Sequence, residues 1–151
     1  MSPYRYACTG VFSEEASAIG YKRAFIDHPF SEVFQFDVPK LQRWASQGLH
    51  FVLTWDELSP LLGVDPQDMV AAIRAVGPEH FTLASDAGIP LLPDTVDAYR
   101  MLARILRAYG VTEPEMRTMM HDSPAEMLGL EGNGQEARGK SFSPTAVGEA
   151  R

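Results

Sequence analysis

The sequence has little cysteine, no long apolar run and a shortage of positive charge, and each absence excludes a class of protein. Cys8 is the only cysteine among 151 residues, so no disulfide can form within the chain and a reducing, cytoplasmic compartment is expected. The longest apolar runs, such as residues 69–73, have five residues, whereas a membrane span needs about 20. Lys and Arg number 13 against 20 Asp and Glu, a net charge of 13 − 20 = −7, which argues against nucleic acid as a partner.

What remains is a chain in which short apolar runs alternate with amphipathic stretches. Four runs are typical of β-strands and have helical periodicity between or after them: residues 4–9, 23–27, 50–54 and 81–85. Strands separated by helices predict an α/β fold with a parallel sheet of right-handed βαβ units. An open doubly wound sheet and part of a (β/α)₈ barrel both satisfy this order. The phosphate-binding motifs G-x-G-x-x-G and G-x-x-x-x-G-K-[ST] do not occur.

Helix boundaries are predicted from local capping signals. Asp37 and Asp65 are typical N-cap residues, and each precedes a proline in the first helical turn. A longer helix is predicted from about residue 94 to residue 109, with these side chains facing inward: Val96, Tyr99, Leu102, Ala103, Leu106 and Tyr109. Two S/T-x-x-E patterns, Thr112 with Glu115 and Ser123 with Glu126, predict capping boxes that begin two short helices. Residues 1–130 are predicted to form one domain, and residues 131–151 a disordered tail of small and polar residues.

His28 and Asp86 are the candidates for chemistry. Each follows a predicted strand, at the end where parallel α/β folds bind their ligands. Because neighbouring strand ends lie about 5–10 Å apart, the two side chains can converge on one metal ion. The alternative is that His28 is a polar loop residue and Asp86 a turn residue. His50 and His80 begin strands, at the end that serves stability, and are interpreted as structural.

Three segments resemble the metal-dependent amidohydrolase superfamily. Residues 76–88 (VGPEHFTLASDAG) are similar to its last barrel strand, which ends in S-D-x-G. Residues 123–130 (SPAEMLGL) resemble its N-P-A-x-x-L-G-L ending, with Ser123 in place of Asn, and residues 26–29 (IDHP) resemble an earlier strand that ends in a metal-binding His. The resemblance covers roughly residues 4–130. Its implied fold is the C-terminal half of a (β/α)₈ barrel.

The resemblance implies a hydrolase that cleaves a C–N or C–O bond of a small molecule with metal-activated water. His28 and Asp86 would hold zinc or manganese, and Asp86 would also be the catalytic residue that takes the proton of the attacking water. The chain departs from the superfamily because it contains no H-x-H pair and has Val11 where relatives place a metal-binding His. With two ligands present, metal binding by the isolated chain is expected to be weak or absent.

Two rival interpretations stay open. One is a degenerate, non-catalytic half-barrel that acts as a folded or assembling module, and the other is an unrelated open α/β binding protein. A half-barrel leaves strand edges and one sheet face uncovered, so self-association or pairing with an N-terminal half-barrel is expected.

Overall fold

The computed structural model describes residues 24–30, 37–88 and 90–130. Within them three parallel strands form one sheet in the order β1–β2–β3. The strands are β1 (Ala24–Asp27), β2 (Leu49–Thr54) and β3 (Phe81–Ala84). In the register, Ile26 lies opposite Phe51, which in turn lies opposite Phe81. The predicted parallel α/β fold is confirmed, whereas the predicted strand at 4–9 and the predicted tail at 131–151 lie outside the described residues.

Six α-helices accompany the sheet in the described part of the chain. They are α1 (Val38–Ala45), α2 (Trp55–Leu58), α3 (Pro66–Val76), α4 (Thr95–Ala108), α5 (Glu113–Arg117) and α6 (Ser123–Met127). A 3₁₀ turn (Pro78–His80) precedes β3, and a π-helical turn (Thr118–Asp122) joins α5 to α6. None of the helices among these residues is long and apolar enough to cross a membrane.

The predicted N-caps form as expected. Asp37 accepts a hydrogen bond from the Lys40 backbone N–H at 2.9 Å, and Asp65 accepts one from the Gln67 N–H at 2.8 Å. Each carboxylate pairs a backbone donor that has no partner within its helix, and it also lies near the positive end of the helix dipole. Local capping chemistry therefore places the starts of α1 and α3.

One face of the sheet carries the core. Alternate strand residues on that face are buried and join buried helix residues in one apolar cluster: Ile26, Leu49, Phe51, Leu53, Phe81 and Leu83 from the strands, with Leu41, Trp44, Met69, Ile73, Leu102 and Leu106 from α1, α3 and α4. The opposite face is less covered, since Phe25 is 55% exposed and His50, Val52 and Thr82 are half-buried.

The predicted capping box of Ser123 and Glu126 is wrong. Ser123 has helical backbone angles, φ −61° and ψ −48°, and an N-cap needs an extended backbone. The preceding π-helical turn runs directly into α6, so Ser123 lies inside continuous helical backbone. Its hydroxyl instead donates a hydrogen bond to the Glu79 carbonyl at 3.1 Å. A tertiary contact thus replaces the local one.

The predicted inward face of α4 is also wrong at its two ends. Val96 is 55% exposed, whereas Ala98 is completely buried. At 100° per residue, Val96 lies about 120° around the helix from Leu102, which marks the buried stripe. Tyr109 falls on the side of Leu102 but is the C-cap residue, past the last buried turn, and is exposed.

Candidate metal site

Three side chains converge where the three parallel strands end. His28 directly follows β1, Asp56 lies in the first turn of α2 just after β2, and Asp86 follows β3. One ligand atom from each lies within 4.8 Å of the other two. The predicted pair is in direct contact, with His28 Nε2 at 3.4 Å from Asp86 Oδ2. Asp56 adds a third potential ligand, a residue to which the sequence assigned no metal-binding role.

The second ring nitrogen of His28, Nδ1, is in hydrogen-bond contact with a neighbouring side chain. Nδ1 lies 3.2 Å from the hydroxyl oxygen of Thr54, and the backbone N–H of His28 donates to the Val52 carbonyl at 3.3 Å. In the tautomer with the proton on Nδ1, Thr54 Oγ1 accepts that hydrogen bond and Nε2 is left with a free lone pair facing Asp86. Histidines that ligate metals have such a partner on the second nitrogen, because it sets the tautomer and orients the ring.

His28 and Asp86 share an unusual backbone conformation. Their φ angles are 54° and 47°, and among residues 24–30, 37–88 and 90–130 they are the two non-glycine residues with positive φ. This left-handed region is sparsely populated by residues that have a Cβ atom. Such conformations cost about 1–3 kcal/mol and persist where the surrounding fold imposes them, often at functional sites. The strained positions of the described chain coincide with two of the three candidate ligands.

Glu57 follows Asp56 in α2 and is completely buried. Its Oε1 accepts the Phe30 backbone N–H at 2.8 Å, and its Oε2 accepts the Thr54 N–H at 3.0 Å. Burial raises the pKa of Glu57 to about 7, although the two backbone hydrogen bonds and His28 act in the opposite direction. The carboxyl group thereby joins the turn after β1 to the end of β2.

The three oxygen and nitrogen donors fit a divalent transition metal. Imidazole nitrogen and carboxylate oxygen are ligands of both zinc and manganese, and a higher proportion of carboxylate suits manganese. Three protein ligands also leave room for water, as catalytic zinc sites do. The side chain of Asp86 is 47% exposed, so the cluster is open to solvent on that side.

The sequence indicates that residues 55–57 follow a strand and could line a pocket, but nothing in it assigns a specific role to Asp56, Glu57 or Thr54. A usable signal existed for two of them, because Thr54-x-x-Glu57 is a capping box of the same form as Thr112-x-x-Glu115, and both boxes form. Asp56 carries no comparable signal. Its place depends on α2 beginning immediately where β2 ends, which turns the second residue after the strand toward its neighbours.

His50 and His80 lie at the opposite end of the sheet. Their ring centroids are 5.8 Å apart, and the Nδ1 atoms of both are buried without a hydrogen-bond partner among the described residues. Burial lowers the pKa of His50; Glu126 opposes that effect and His80 adds to it. Neither residue belongs to the cluster at the C-terminal ends of the strands. Their structural role stays a prediction.

No family model matches this chain, and no curated protein or solved structure matches it either. The likeness to amidohydrolases therefore rests on the sequence segments described above.

Proposed function

We propose that this chain binds one divalent metal ion, manganese or zinc, through His28, Asp56 and Asp86 and belongs to an amidohydrolase-like hydrolase. The reaction would be hydrolysis of a C–N or C–O bond in a small-molecule substrate in the cytoplasm. The observation that carries the proposal is the convergence of three potential ligand atoms within 4.8 Å, one from each of three parallel strand ends. The motif resemblance supplies the reaction class.

The side chains have separable roles in this proposal. A bound divalent metal lowers the pKa of water to near 7 and polarises the carbonyl to be attacked. His28 holds the metal through Nε2 while Thr54 retains Nδ1. Asp86 has two carboxylate oxygens, so it can ligate with one and accept the proton of the attacking water with the other. Its exposure leaves that second role accessible to water and substrate.

The sheet order supports a half-barrel as the architecture. Two successive right-handed crossovers in the order β1–β2–β3 put their helices on the same face of the sheet, whereas a doubly wound sheet reverses direction and covers both faces. The single apolar cluster on one face and the partial exposure of Phe25 on the other agree with this arrangement. A second copy or an N-terminal half-barrel would then cover the inner face.

Metal titration tests the proposal. Metal-free protein is titrated with Mn²⁺ and with Zn²⁺ by isothermal titration calorimetry, and we expect one ion per chain. His28→Ala, Asp56→Asn and Asp86→Asn should each weaken or abolish binding, while His50→Ala should not. An equal loss of binding from His50→Ala would contradict the proposal, because His50 lies at the opposite end of the strands.

Hydrolysis assays separate the two functional alternatives. The metal-loaded wild-type chain is incubated with simple amide and ester substrates, with Asp86→Asn as the matched inactive control. Hydrolysis that depends on Asp86 supports the enzyme. One bound ion without any hydrolysis would favour the non-catalytic module, an alternative that the missing H-x-H pair supports.

A further inference from the structure

The capping box that begins α2 differs from the one that begins α5. In the α5 box Thr112 and Glu115 pair with each other, through contacts of the Thr112 N–H and hydroxyl to Glu115 Oε2 at 2.7 Å. In the α2 box both side chains also reach the segment after β1. Thr54 Oγ1 contacts His28 Nδ1, and Glu57 Oε1 accepts from Phe30 N–H.

We propose that the Thr54–Glu57 capping box is a positioning device for the metal ligand His28. Thr54 orients the imidazole ring through its hydroxyl, and Glu57 fixes the backbone of the turn that carries the ring. This inference rests on the proposed metal site. It assigns to Thr54 and Glu57 no contact with the metal, the water or the substrate.

The left-handed backbone of His28 needs such a restraint. A φ of 54° is disfavoured for a residue with a Cβ atom, so the turn would relax if nothing held it. Three hydrogen bonds hold it along its length: His28 N–H to Val52 O, His28 Nδ1 to Thr54 Oγ1, and Phe30 N–H to Glu57 Oε1. The first belongs to the sheet, and the other two come from the capping box.

Burial makes the capping-box contacts effective. Thr54 and Glu57 are both buried, and Pro29 between the two anchored residues is fully buried as well. Burial of Thr54 and Glu57 limits the competition of water for these hydrogen bonds, and the ionised form of Glu57 is a stronger acceptor than a neutral group. The two carboxyl oxygens of Glu57 accept backbone hydrogen bonds from β2 and from the turn after β1. A displacement of one segment would therefore displace the other.

The chain offers matched variants for the test. Glu57→Gln replaces one acceptor oxygen by an NH₂ group, which cannot accept, so one of the two backbone donors loses its partner. Thr54→Val removes the hydroxyl while keeping the shape, and Thr54→Ser restores an oxygen. Glu115→Gln and Thr112→Val make the same changes in the remote capping box.

Mn²⁺ affinity is measured for these five variants and the wild type, together with urea unfolding. We expect Glu57→Gln and Thr54→Val to weaken Mn²⁺ binding by about 10- to 100-fold, as loss of a ligand's supporting partner does. Thr54→Ser should bind within a few-fold of wild type. Glu115→Gln and Thr112→Val should bind as wild type does, even though they remove the corresponding contacts of the α5 capping box.

Nitrogen chemical shifts of the His28 ring supply a second readout in metal-free protein. Thr54→Ser should keep the wild-type tautomer population, and Thr54→Val should change it, because it removes the hydroxyl that lies 3.2 Å from Nδ1. If Glu57→Gln does not fold, the Thr54 pair decides. Equal Mn²⁺ affinity and an unchanged tautomer in folded Thr54→Val would overturn the positioning role and leave the metal site intact. Absence of Mn²⁺ binding in the wild type would overturn both.

Discussion

At the residue scale, His28 and Asp86 share a backbone conformation that side chains with a Cβ atom rarely adopt. The chain retains it at both strand ends even though an ordinary turn with glycine would be less strained. Because both side chains face one cluster, the strain and the proposed chemistry coincide. A glycine in place of Asp86 should therefore relieve the backbone strain and, at the same time, remove a metal ligand.

Asp86→Gly should be more stable than Asp86→Ala by about 1 kcal/mol, because alanine pays the left-handed penalty and glycine does not. Neither variant should bind metal. The control is Asp27, an exposed residue of β1 in which the backbone is extended. There alanine should be more stable than glycine by about 0.5–1 kcal/mol. Urea unfolding of the four variants measures both differences, and the same order at both positions would contradict the strain.

His50 should make stability depend on pH. Burial lowers its pKa, so the folded chain binds this proton less readily than the unfolded chain, in which the histidine pKa is about 6.5. The contribution is complete above that pH and is lost as the pH falls below it. Between about pH 7.5 and about 5.5, wild type should therefore lose more free energy of unfolding than His50→Gln. Equal losses in the two proteins would show that His50 is not the group responsible.

At the element scale, α4 shows that a helix face is set by what it packs against. Leu102 is completely buried against the core, and Val96 is 55% exposed near the start of the same helix. Leu102→Ala should lower the free energy of unfolding by about 2–5 kcal/mol. Val96→Ala should change it by less than about 0.5 kcal/mol. A comparable loss from Val96→Ala would mean that Val96 is covered in solution.

A structural feature could be predicted from the sequence when the residues that determine it are close together along the chain. The start of α1 could be predicted from Asp37 because an N-cap bonds to its own helix. The capping box predicted for Ser123 was wrong because the hydroxyl of Ser123 donates to the carbonyl of Glu79, 44 residues away in sequence. His28 and Asp86 could be paired because parallel strands end together. Asp56 could not be added, since its position depends on how tightly α2 follows β2.

At the scale of the whole molecule, the sheet has one apolar face packed by helices and one face that is only partly covered. Phe25 lies on the second face with 55% of its surface exposed. A net charge of −7 favours solubility but does not cover apolar surface. Pairing through this face would therefore stabilise the proposed half-barrel by burying exposed apolar surface.

We expect the chain to self-associate at micromolar concentration, as measured by sedimentation velocity. Phe25→Lys should weaken the association because it places a charge on the proposed inner face. Leu91→Lys is the matched control, since Leu91 is exposed but lies in the segment between β3 and α4. A compact monomer over the whole concentration range, or equal effects of the two changes, would count against the half-barrel.

Anomalous X-ray diffraction from crystals soaked in Mn²⁺ tests the central claim most directly. A map from data collected above the manganese absorption edge shows where the ion lies without any assumption about activity. The metal-site proposal predicts a single strong peak in coordination contact with His28 Nε2 and with carboxylate oxygens of Asp56 and Asp86. No peak at these strand ends, or a peak only beside His50 and His80, would contradict it.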